Sequence, residues 1–102
     1  MGVQWQEERF VGVDGSDLYV RIAGKRHKRW AVLCDGIGCD GYMWRYITPK
    51  LLDNGYRVLH WNYPGHGLSG PAADPQAIGI GDMADHLRSI CNAKGIEKPL
   101  LL

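Results

Sequence analysis

The chain has 102 residues, a formal net charge of +1, 45% hydrophobic residues and 23% charged residues. That is one small domain at most, with the ordinary composition of a globular protein. The near-zero charge argues against nucleic acid or an anionic membrane as a partner. No apolar run approaches the ~20 residues of a membrane span, and "MGVQWQEERF" lacks a signal-peptide core, so a cytoplasmic location is the expectation.

In chain order, residues 5–24 ("WQEERFVGVDGSDLYVRIAG") predict two antiparallel strands around "DGSD". Asp14-Gly15 is a strong turn signal, since glycine takes a positive φ cheaply. The basic stretch "KRHKR", residues 25–29, reads as a solvated loop, because five residues on a charge-balanced chain do not make a nucleic-acid patch. "WAVLC" is a continuous apolar run, as expected of a strand buried on both faces of a parallel sheet.

Residues 42–54 predict a first helix. Its apolar stripe is Met43, Ile47 and Leu51, widened by Trp44 and Leu52. Pro49 is expected to kink the helix or to start its main part, and Asn54-Gly55 to end it. "YRVLHWNY" is the next strand, followed by the long loop "PGHGLSGPAADP". A second helix is expected over residues 81–94, burying Ile80, Met83, Ala84, Leu87, Ile90 and Cys91. Asp82 in its first turn suits the helix dipole, and Gly95 closes it. "KPLLL" opens another buried strand. The order β, β, then β-α-β-α-β predicts an α/β three-layer sandwich with right-handed crossovers.

Cys34, Cys39 and Cys91 are odd in number and lack zinc-site spacing, which argues for reduced thiols and no metal. The chemistry-bearing stretch is "LCDGIGCDG", a strand running into a glycine-rich turn. Gly36, Gly38 and Gly41 fit G-x-G-x-x-G, the dinucleotide fingerprint, ahead of a helix. A dinucleotide site also needs an acidic residue about 20 positions on, at the end of the next strand. His60, Trp61, Asn62 and Tyr63 stand there instead. "GHGLSG" fits the same spacing but is followed by proline and loop, so an NAD-dependent oxidoreductase is the weaker reading.

The same strand–turn–helix geometry builds an oxyanion hole in hydrolases. "LCDGIG", "GYMWRYITPKLLDNGYRVLHWNYPGHGLS" and "IGIGDMADHLRSICNAKGIEKPLLL", in that order and behind an antiparallel hairpin, resemble the α/β-hydrolase superfamily of esterases, epoxide hydrolases and dehalogenases. The resemblance covers nearly the whole chain. It implies the amino-terminal part of a three-layer α/β-hydrolase domain, with residues 1–24 as the hairpin and 30–102 as βαβαβ ending in strand five.

It also implies that Ile37 donates a backbone N–H to the oxyanion, with Gly36 and Gly38 letting the backbone approach a small-molecule substrate. Asp40 and Tyr42 are candidate pocket-entrance residues. The family's usual histidine is Asp35 here, expected to pin the loop by accepting backbone N–H bonds and to point away from the oxyanion or be neutralised. His66 is expected to be structural, holding its loop against the loop after strand three.

The nucleophile elbow of the family, G-x-S-x-G, follows strand five, and acid and base come later still. "GLSGP" lacks its spacing, so Ser69 is no substitute. The expectation is an esterase-like hydrolase whose nucleophile lies beyond Leu102, with this chain alone inactive. The alternative is a non-catalytic binding or assembly protein of the same fold.

Overall fold

The computed structural model describes residues 3–24, 29–35, 44–76 and 78–102. Seven elements follow in order: β1 (Gln6–Val11), β2 (Asp17–Ala23), β3 (Arg29–Cys34), α1 (Trp44–Asp53), β4 (Tyr56–Trp61), α2 (Ile80–Lys94) and β5 (Leu100–Leu101). They build one five-stranded sheet of order β1-β2-β4-β3-β5. The hairpin is antiparallel, β2 pairs antiparallel with β4, and β3 pairs in parallel with both β4 and β5. This is the hairpin followed by a parallel βαβαβ unit that the sequence predicts.

Adjacent residues of a strand face opposite sides of the sheet. Leu33 and Val58 pack with Trp44 of α1, whereas Val32 and Leu59 pack with Ile90 of α2. The two helices therefore cover opposite faces. The chain leaves β3 to one side through α1 and crosses back to its other side through α2. The carboxyl end of β3 is thus a topological switch point, where open α/β sheets place ligands.

Both helix stripes are rotated from their sequence expectation. Ile47 is 38% exposed, while Thr48 is fully buried beside Trp44. Residues 44, 48, 51 and 52 turn one face inward, and Met43 lies outside the described residues. In α2, Ile80 is 89% exposed and Ala84 is exposed, while His86 is buried in their place. Gly12 of the hairpin makes room for it, because a Cβ there would stand 2.6 Å from His86 Nδ1. Pro49 sits inside α1 and removes one rung of its ladder. Gly95 closes α2 in the left-handed region at φ 67°, where its N–H bonds the Asn92 carbonyl.

The leucines of β5 are not buried as predicted. Leu100, Leu101 and Leu102 form an exposed edge, since β5 has a partner on one side only. Among the described residues, no helix is long and apolar enough to cross a membrane. Lys25–Lys28 of the basic stretch lie outside the described residues.

Candidate active site

The strand register decides which polar groups meet. Arg21 of β2 lies opposite His60 of β4, and Leu33 of β3 pairs with His60 on the other side. Period-two alternation then turns Arg21, His60, Asn62 and Asp35 to the face that α1 covers. Three of these four are buried within an otherwise apolar layer, so each needs a partner.

The partners converge on Asp35, which is 4% exposed at the carboxyl end of β3. Its Oδ1 accepts from Trp44 Nε1 at 2.8 Å and from His60 Nε2 at 2.8 Å, and its Oδ2 accepts from Asn62 Nδ2 at 2.9 Å. On the far side, His60 Nδ1 accepts from Arg21 Nε at 2.9 Å. That bond fixes the imidazole tautomer, with the proton on Nε2 and directed at Asp35. The Arg21 guanidinium rests on the Trp5 ring at 4.1 Å, which completes a polar line from hairpin to switch point.

Burial alone would push the Asp35 carboxyl up. The hydrogen bonds from His60, Trp44 and Asn62 and the nearby His60 outweigh it and hold the group below the ordinary carboxylate range. Asp35 is therefore an anchor with most of its lone pairs occupied. The donors are side chains, where the sequence reading expected backbone N–H groups. The requirement that its charge be compensated is met within the sheet.

Asn62 joins this line to the glycine loop. Its Oδ1 accepts from Leu68 N at 3.1 Å, while its Nδ2 holds Asp35. Gly67 has φ +52°, and a Cβ there would stand 2.5 Å from Asn62 Oδ1, so only glycine fits the turn. Ser69 Oγ donates to the Asn62 carbonyl at 2.7 Å and accepts from Tyr19 N at 2.8 Å. One bond joins the loop to β2 and the other to the residue after β4, so the Ser69 hydroxyl is occupied in both its roles. His66 Nδ1 lies 3.1 Å from the Pro64 carbonyl and its ring meets Tyr63 edge-on, both contacts within its own loop.

Ile37, Gly36, Gly38, Asp40 and Tyr42 lie outside the described residues, as does Cys39. Burial pushes the Cys34 and Cys91 thiols up, which keeps both protonated. A cleft of about 880 Å³ opens at the carboxyl end of the sheet, lined by Asp35, Tyr63, His66, Ile78, Ile80 and Met83 among others.

The residues that sequence reasoning missed are Trp44, Asn62, His60 and Arg21. A usable signal was the pair of polar residues alternating through "VLHWN" in a strand read as buried. The pairing of β2 with β4, which brings Arg21 to His60, has no local sequence mark.

The family model described as alpha/beta hydrolase fold matches residues 31–102. No curated protein matches the chain. Among solved structures, an epoxide hydrolase A from Mycobacterium thermoresistibile is 28% identical with TM-score 0.83, over 96% of this chain and 30% of that one. An esterase from Exiguobacterium antarcticum is 25% identical with TM-score 0.79, over 99% of this chain and 34% of that one. An alpha/beta hydrolase from Novosphingobium aromaticivorans, 20% identical, has TM-score 0.84 over 97% of this chain and 35% of that one. The chain spans about a third of the length of these structures.

Proposed function

Because the chain belongs to the alpha/beta hydrolase fold family, we propose that it supplies the oxyanion-loop wall of an esterase-like hydrolase acting on ester or similar small-molecule bonds. In this reading residues 1–102 are the amino-terminal part of the domain, and the nucleophile follows the fifth strand. The Ile37 N–H and the N–H after the nucleophile hold the developing oxyanion, often the largest single catalytic contribution. Gly36 and Gly38 let the backbone come close, Asp40 and Tyr42 border the entrance, and the reaction needs no cofactor. Asp35 and His66 keep their loops in place and touch no reacting atom.

The observation that carries this reading is the anchoring of Asp35 at the switch point, immediately before Gly36 and Ile37. Three hydrogen bonds occupy its carboxylate oxygens, which tempers its repulsion of an oxyanion formed nearby. The esterase and epoxide hydrolase among the similar structures support a hydrolytic reaction on a compact electrophile.

The gene sequence past the Leu102 codon tests it. The expected result is a G-x-S-x-G within about five residues, on the turn after β5. An aspartate at the serine position would move the chemistry to epoxide or carbon–halogen opening. A stop codon would overturn the reading and leave a binding or assembly protein of the same fold.

A further inference from the structure

Asp35 is held by groups on β4 and α1, but the only formal positive charge on its polar line is Arg21, two strands away on β2. A buried carboxylate with no charge partner carries a large desolvation cost. His60 bridges the gap, accepting from the guanidinium with Nδ1 and donating to the carboxylate with Nε2. Such a chain polarises its members in one direction and strengthens both bonds.

Among the described residues, the other titratable groups near Asp35 are Cys34 beside it, Tyr63 after β4 and His66 in the lining of the same cleft. Burial pushes the Cys34 thiol and the Tyr63 hydroxyl up, and the charge of Asp35 adds to this, so neither offsets that charge; His66 makes its contacts to Pro64 and Tyr63. Trp44 and Asn62 contribute neutral donors only.

We propose that Arg21 and His60 are positioning residues acting through Asp35: the Arg21 charge, relayed by the His60 imidazole, keeps Asp35 a buried carboxylate, and that carboxylate ties the end of β3 to α1 and, through Asn62, to the glycine loop. Only the catalytic consequence rests on the hydrolase reading.

The test follows the indole Nε1–H of Trp44 by ¹⁵N NMR in the purified chain, assigned among its four tryptophans with Trp44→Phe. This proton reports directly on Asp35 ionisation. In Arg21→Gln, which keeps a donor but no charge, the pH midpoint of its shift should rise by about one unit. Arg21→Lys should restore most of the wild-type midpoint. An unchanged midpoint in folded Arg21→Gln would overturn the proposal.

The ring ¹⁵N shifts of His60 in the unmodified chain give a second reading that needs no variant. The proposal requires the proton on Nε2, and a proton on Nδ1 alone would overturn it. In the complete gene product, Arg21→Gln should lower kcat severalfold with KM little changed. If the wild type shows no turnover, the hydrolase reading falls while the two NMR results still decide this one.

Discussion

Asp35 accepts from three donors, Trp44, His60 and Asn62, in a buried layer. Asp35→Asn keeps the shape but presents an amide where three donors converge, and Asp35→Leu strands all three. Removing one partner of a buried charged network costs about 3–5 kcal/mol, so Asp35→Leu is expected to lower unfolding stability by that amount in urea titrations. The pH dependence has a definite sign. A carboxyl depressed in the folded state binds fewer protons there than in the unfolded chain, so stability rises with pH between the two values. The Asp35 contribution is complete above its ordinary value of 3.8 and is lost as pH falls through the depressed one. Thermal melts between pH 2.5 and 6 should therefore show a steeper acid loss for the wild type than for Asp35→Asn. Equal slopes would remove Asp35 from the ledger of acid-sensitive groups. The identity of this residue was legible as a departure from a family motif. Its partners were not, because Arg21 reaches it only through strand register.

The glycine loop after β4 is fastened to the hairpin like an additional strand end. Tyr19 N and Asp17 O bond Ser69 Oγ and Gly70 N, and Ser16 Oγ accepts from Ala73 N. Ser69→Ala deletes one acceptor and one donor from this seam, a loss of about 1–3 kcal/mol. Gly67→Ala places a methyl against Asn62 in a left-handed turn, and should destabilise by more than the ~1 kcal/mol that the same change gains at a compatible site. Chemical denaturation of both variants checks this, with Gly70→Ala as the milder companion since its Cβ would find Asp17 Cβ at 3.3 Å. Element order and type were readable because each strand is bounded by turn residues and each helix closes on glycine. Helix rotation was not. A stripe read from apolar residues alone put Ile47 and Ile80 inward, while the real faces admit Thr48 and His86, which tertiary neighbours accommodate.

At the scale of the molecule, β5 pairs on one side only among the described residues and carries exposed leucines, and a cleft opens beside Asp35. An unpaired apolar edge is a template for association. Leu101→Lys, at a position 56% exposed, should reduce self-association of the purified chain by light scattering while leaving its melting temperature nearly unchanged. Growth of association in the variant would show that the edge is not the cause. Fold class was legible because the hairpin and the two crossovers each leave their own pattern. The loop residues Gly36 to Tyr42, on which the site reading rests, lie outside the described residues.

On the proposed function, the Ile37 backbone N–H stabilises an oxyanion. Ester hydrolysis by the complete gene product, with the Ile37 peptide N–H replaced by an ester oxygen, tests this. That change removes one donor and leaves every side chain in place. The kcat should fall by about 10²–10³-fold with KM little changed. A kcat equal to the wild type would overturn the oxyanion role of Ile37.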